Sequence, residues 1–242
     1  MNEKDYKIVG DFYDQVYYQK ISQSDNPNRH YWSLAKKIGI KPGEKLLDIA
    51  CGTGSWLKTA SDFGANIHGI DISGRAIEIC QKKFPNNSIK EGIAENLPFP
   101  DAYFDIVTCL GALEHFLDQP KAIREMIRVA KPNARFLILV PNAGFLTFRL
   151  GFFKGTQQQE VKETIKSLNE WQTLFNQQGL NIVSRWADFH VLSKYWIVRK
   201  PYGMLVPRLI QALLLLVWPL SWQYQVYHLC CLASPNSKEP KS

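Results

Sequence analysis

The 242-residue chain has no long run of lysine or arginine, no cysteine pair at metal-ligand spacing beside a histidine, and no internal repeat. No apolar stretch is long enough to cross a bilayer: Ala212 to Leu220 is too short, and Pro207, Arg208, Gln211 and Pro219 flank or break it. Each absence narrows the field. A net charge of +7 spread over scattered basic residues, with no nucleic-acid motif, leads us to expect no nucleic-acid partner. The charge fits a mildly basic globular protein or one drawn to an anionic substrate or membrane surface. The five cysteines are odd in number and three lie in apolar runs. They read as reduced, mostly buried thiols, and no metal is expected on them. The start of the chain, Met1-Asn-Glu-Lys-Asp-Tyr6, is polar and lacks a signal-peptide core, so a cytoplasmic location is expected.

What is present is organised around Lys45-Leu-Leu-Asp-Ile-Ala-Cys-Gly-Thr-Gly-Ser-Trp-Leu57. It reads as a buried strand to Ile49, a tight turn, and a helix from about Ser55. Gly52 and Gly54 allow positive φ and close approach of a ligand, and the helix start offers unpaired N–H groups. Asp48 closes the strand. Asp71 closes the next apolar run, Asn66 to Asp71, at the distance expected of a ribose-binding acid. A nicotinamide or flavin dinucleotide fold would want a third glycine where Leu57 stands. It would also set the Asp48 carboxylate against a dianionic pyrophosphate across a poorly screened gap. The same carboxylate suits an ammonium or sulfonium centre.

With 45% hydrophobic and 21% charged residues, one domain with an elaborated end is expected. Residues 1–44 hold two helices, about Val9 to Lys20 with an aromatic face and Asn28 to Ile38 before Gly39. The first either packs on a sheet edge or covers the ligand. The core, residues 45–142, alternates strands with helices. Strands are read to Ile49, to Asp71, at Ser88 to Glu91, Phe104 to Leu110 and Arg135 to Val140. Ser73 caps one helix; Asp118 caps another, with Pro120 in its first turn, that runs to about Ala130 and is stopped by Pro132. This pattern predicts an α/β, Rossmann-like sheet of seven mostly parallel strands, helices on both faces and the last strand antiparallel. Residues 143–188 bring a long connection with Phe145, Phe148, Phe152 and Phe153, a glutamine-rich run, a capping box at Ser167 and Glu170, and a sixth strand from Leu180 to Trp186. An apolar insert fills 189–222, the last strand is placed at 223–232, and a polar tail covers 233–242.

Three further stretches carry a resemblance: Leu97-Pro-Phe-Pro-Asp running to Phe104-Asp105, Leu113-Glu-His115, and Ile127-Arg-Val-Ala-Lys-Pro132. With the glycine turn, residues 45–142 resemble the class I S-adenosylmethionine-dependent methyltransferases, in particular the type 11 domain. The resemblance implies S-adenosylmethionine as cofactor and these roles. Asp48 orders the glycine turn near the cationic methionine end, and Ala50, Gly52 and Gly54 give close backbone approach. Asp71 takes the ribose hydroxyls and Ile72 packs on adenine. Ala94 and Glu95 border the adenine, and Leu110 offers backbone near the methionine. The chain departs from the family at Ile93, where an acid often stands, and at Asn133 and Ala134, where two glycines do. Two other readings stay open here: an NAD(P)-dependent oxidoreductase, and a non-catalytic binding module.

His115 follows a strand whose end faces the expected crevice. It serves either as a general base, the one catalytic candidate, or as a packing residue of the pocket floor. The acceptor is a small molecule; the aromatic connection and Trp196, Trp218 and Trp222 suggest a hydrophobic or lipid-linked one. The insert either walls the acceptor pocket or lies on the anionic inner face of a membrane. Between Asp188 and Glu239 there is no acid, and Arg199, Lys200 and Arg208 lie close to the apolar run. The oligomeric state is not written in the sequence.

Overall fold

A computed structural model describes residues 3–18, 29–146, 163–189, 197–198 and 202–233. The strands are β1 (Lys45–Ile49), β2 (Asn66–Asp71), β3 (Ser88–Glu91), β4 (Phe104–Leu110), β5 (Ala130–Pro141), β6 (Leu180–Ala187) and β7 (Gln225–Leu232). The helices are α1 (Glu3–Phe12), α2 (Arg29–Ile38), α3 (Ser55–Asp62), α4 (Gly74–Lys83), α5 (Gln119–Val129), α6 (Leu168–Gln178) and α7 (Leu205–Val217). One sheet results, in the order β3-β2-β1-β4-β5-β7-β6. β7 runs antiparallel to both its neighbours, β5 and β6. This is the Rossmann-like class expected from the strand and helix alternation.

The central strands are mostly apolar because both faces are covered. Leu47, Val107 and Phe136 pack on one side with Trp171 and Phe175; Leu46, Ile106 and Leu137 pack on the other with Trp56 and Tyr227. Each such side chain contributes about 1.5–3 kcal/mol on burial. The caps hold as read: Ser73 Oγ accepts from Ala76 N at 3.1 Å, Asp118 Oδ1 from Lys121 N at 3.0 Å, and Ser167 and Glu170 form a reciprocal box. The chain leaves β1 outward to β2 and β3, then returns to β4 on β1's other side. A crevice opens at that reversal, beyond the carboxyl ends of β1 and β4.

Three elements differ from expectation. Pro132 does not stop the chain between α5 and β5. Ala130 pairs with Phe104 and Arg135 with Ile106, so an irregularity takes up the residues between, and a proline there forfeits no ladder bond. At the start, α1 begins earlier than Val9 and passes into a π-helical turn, Tyr13–Tyr17, closed by Tyr18 N to Tyr13 O at 2.9 Å. The wide turn stacks Tyr13 on Tyr17 and Tyr17 on Tyr18, edge to face, at 5.5 and 5.0 Å. β7 starts at Gln225, because Gln223 turns its amide to the Leu215 and Trp218 carbonyls, at 2.7 and 3.2 Å.

That amide ties α7 to the sheet. Pro207 lies inside the first turn of α7, where its missing N–H costs nothing, so the helix begins before that proline and not after it. Arg208, Ala212 and Leu215 face inward, whereas Leu209, Ile210, Leu213, Leu214, Leu216 and Val217 are exposed. Asn142, at the end of β5, gathers three segments. Its side chain donates to Ser221 O and Gln223 O at 2.9 and 3.0 Å and accepts from Gly144 N at 2.9 Å. Its backbone bridges to Lys166. Lys20, Phe148, Phe152, Phe153, the glutamine-rich run, His190, Tyr195, Trp196, Arg199, Lys200, Pro201 and the tail beyond Ala233 lie outside the described residues.

Candidate functional site

A cleft of about 890 Å³, counting its open mouth, occupies the crevice. Its floor is Ile49 and Ala50 after β1, Asp71 and Ile72 after β2, Gly92 to Glu95 after β3, and Leu110 to Ala112 after β4. Tyr6, Val9, Tyr13, Tyr17 and Tyr18 close it from above, so the aromatic face of the first helix covers the cleft. Of the residues singled out in the sequence, Ala50, Asp71, Ile72, Ala94, Glu95, Leu110 and His115 line it together.

The glycine turn is built differently from expectation. Asp71, not Asp48, orders it: Asp71 Oδ2 accepts from Gly52 N at 2.8 Å and Oδ1 from Ser73 N at 2.9 Å. Ala50 takes a left-handed φ of 58°, a conformation that costs a residue with a Cβ about 1–2 kcal/mol. Asp48 lies beneath the cleft, buried, with Oδ1 accepting the Thr108 hydroxyl at 2.6 Å. That hydroxyl in turn accepts from Trp56 Nε1 at 3.1 Å. Gly54 does not face the ligand space at all. A Cβ there would stand 2.7 Å from Cys80 Sγ and 2.8 Å from Phe84 Cε2, so this glycine lets α3 approach α4. At Gly52 the added atom would meet Tyr18 Oη at 2.8 Å, so the cover touches the turn itself.

The electrostatics are one-sided. No lysine or arginine lines the cleft among the described residues. Burial pushes the Asp71 carboxyl up to about 6, against the N–H groups of Ser73 and Gly52 that hold it down. Burial pushes Asp48 up to about 7, with the Thr108 bond opposing. Glu95 is raised by burial as well, while its Oε1 accepts from Asp118 N at 3.2 Å. Such a site attracts a cation and repels a pyrophosphate. Asp14, which no motif marks, pins the cover down: it accepts the Ser73 hydroxyl and, at 3.3 Å, Arg75 N.

Past β4 comes the short 3-10 turn Leu113–His115. His115 faces the cleft, and desolvation lowers its pKa against the pull of Glu163. Glu114 is 3% exposed, and burial lifts its carboxyl to about 8. Thr164 N donates to Glu114 O at 2.9 Å and Ala143 N to Lys166 O at 3.0 Å, which docks the segment before α6 against this turn. Glu163 thereby joins Glu114 and His115, a meeting that no spacing in the sequence could announce.

A family model described as a methyltransferase domain matches residues 47–138. An uncharacterized methyltransferase, YcgJ of Bacillus subtilis (strain 168), is 32% identical over 177 residues, covering 69% of each chain. The crystal structure of YcgJ superposes with a TM-score of 0.55 at 25% identity, covering 84% of this chain and 95% of that one. The demethylmenaquinone methyltransferase of Lysinibacillus sphaericus (strain C3-41) is 36% identical over 110 residues, and this chain spans 47% of that enzyme.

Proposed function

Because the chain belongs to the class I S-adenosylmethionine-dependent methyltransferases of the type 11 domain family, we propose that it methylates a small hydrophobic or lipid-linked acceptor met at the anionic inner face of a membrane. The oxidoreductase alternative falls with the family. S-Adenosylmethionine supplies a sulfonium methyl that leaves in an in-line displacement, so the protein must chiefly align, desolvate and bind. Asp71 has lone pairs left for ribose hydroxyls while its two backbone partners fix its rotamer. Ile72 and Ala94 offer apolar surface to the adenine, with Glu95 at its border. Ala50 brings bare backbone to the methionine end, Leu110 flanks it, and Gly52, held by Asp71, shapes the turn behind it. Asp48 sets a negative potential beneath that end from inside the core. The tyrosine cover shields the donor from water.

One observation carries the acceptor class. The outer face of α7 exposes Ile210, Leu213, Leu216 and Val217 beside a cleft-bearing core that is otherwise well packed, and the chain between Asp188 and Glu239 holds no acid. An apolar face in a stretch free of negative charge suits a lipid headgroup layer. No helix among the described residues is long and apolar enough to cross a membrane. The relative that acts on demethylmenaquinone supports a hydrophobic ring acceptor. Incubation with methyl-labelled cofactor and separate lipid and aqueous cell extracts tests the reading. Label entering an organic-phase product supports it; label found only in water-soluble products overturns it.

A further inference from the structure

We propose that Glu114, His115 and Glu163 form a divalent-cation site at the acceptor end of the cleft. The proposal deepens the methyltransferase reading by giving the acceptor an oxygen to be held. Each of the three residues offers one donor atom, and these atoms all lie within 4.8 Å of one another. Donors about 2.1 Å from a common ion stand about 3–4 Å apart, so a small inward rotation of the side chains closes the set. Two independent signs point to a ligand there. Glu114 Oε2 is buried with no hydrogen-bond partner among the described residues, and His115 Nδ1 is likewise unpartnered. A buried carboxylate oxygen left bare is costly, and a metal ion is one of the few partners that removes the cost.

The position is built. Thr164 N binds the carbonyl of Glu114 itself, and Lys166 bridges to Asn142 at the end of β5. Glu163 is therefore delivered by a segment clamped at two points. One imidazole and two carboxylates favour Mn²⁺, Fe²⁺ or Zn²⁺ over a soft-ligand metal, and three protein donors leave positions open for an acceptor. No metal is expected on the cysteines, and these donors involve none of them.

The ion explains which acceptor fits. Bound to a phenol- or enol-type hydroxyl, it lowers the hydroxyl pKa, and the proton leaves to water. The resulting oxygen anion, or the carbon conjugated to it, gives an electron pair to the methyl carbon. The methyl–sulfur bond breaks and its pair stays on sulfur, so the sulfonium charge and the acceptor charge cancel. Carboxylates around the ion keep its charge from opposing the cationic donor.

Metal binding is measured on the full chain without turnover. After EDTA treatment and gel filtration, the protein is titrated with Mn²⁺ by electron paramagnetic resonance and with Zn²⁺ by calorimetry, and bound metal is counted. One ion per chain is expected, with affinity falling at least tenfold in Glu163→Gln and in His115→Ala. S-Adenosylhomocysteine affinity should stay near normal in Glu163→Gln, which separates loss of the ion from loss of the fold. No stoichiometric binding of either ion overturns the proposal, as does binding that survives both substitutions. The methyltransferase reading is scored apart, by S-adenosylhomocysteine binding to the metal-free protein.

Discussion

The carboxylate of Asp71 holds the backbone N–H of Gly52 at 2.8 Å, so the acid that ends one strand shapes the turn that ends its neighbour. The acid proposed to hold the ribose is thereby the same side chain that shapes the glycine turn. Asp71→Ala removes the acceptor for Gly52 N and Ser73 N together. S-Adenosylhomocysteine affinity should fall at least a hundredfold, and stability by about 2–4 kcal/mol from two unmade backbone bonds. Calorimetry and thermal unfolding read the two losses. Unchanged affinity would show that the acid serves the turn alone.

Asp48 should make the protein less stable as pH rises. Its folded pKa of about 7 lies above the ordinary 3.8, so the folded state prefers the protonated form. The contribution is complete below the unfolded value and is lost as pH climbs through the folded one. Asp48→Asn keeps an acceptor for Thr108 and cannot ionise. The variant should match the parent at pH 4 and exceed it at pH 8, by roughly 3 kcal/mol. Unfolding midpoints in urea across that range check the slope. The proposed methionine end lies above Asp48, so cofactor affinity should also drop in this variant as the buried carboxylate's charge is lost.

Two alanine substitutions distinguish the glycines. Gly54→Ala adds a Cβ against Cys80 and Phe84 at a φ of 80°, so it should cost about 2–4 kcal/mol of stability. Gly52→Ala meets only the far end of Tyr18, at a φ of 53°. It should weaken cofactor binding more than stability. Paired melting and binding curves test the split, and equal stability losses would contradict it.

Vesicle flotation tests the outer face of α7. Leu213, Leu214 and Leu216 to Ser should abolish salt-sensitive binding to anionic vesicles. Leu215 is spared in this design because it is 4% exposed and packs inward. A parent protein that never floats would end the membrane reading. These three leucines are 66, 42 and 59% exposed, so the flotation result separates surface attachment from the pocket-wall alternative.

His115→Ala should leave cofactor affinity near normal, because the ring lies past β4, on the proposed acceptor side of the cleft. Turnover should fall at least tenfold, most steeply at low pH, where an acceptor hydroxyl most needs help to ionise. Normal turnover from pH 6 to 9 would assign His115 to packing.

Much of the architecture was legible because it is written locally. Ser73, Asp118 and Ser167 each stand where a helix needs a cap, and the buried strands are short apolar runs bounded by turn residues. Features that depend on what meets what in space were not. Gly54 and Gly52 look alike in the sequence, yet one faces α4 and the other the cover. Asp48 and Asp71 both end strands, and only the register between β1 and β2 decides which carboxylate reaches the turn. Pro132 looked like a stop because nothing local foretells an irregular pairing. Asp14 and Glu163 carry no motif; each matters through the segment it is docked against.

Asn142 has a consequence for how the molecule comes apart. One side chain holds the residue at 144 and carbonyls at 221 and 223, and its own backbone holds 166. Three stretches far apart in the chain thus share a single knot, so none can loosen while the others stay closed. The root of the apolar helix, the arm that delivers Glu163 and the end of the fifth strand form one cooperative opening unit. Amide exchange at all three should proceed in step, and a surface that steadies the helix would slow exchange beside His115 without touching it.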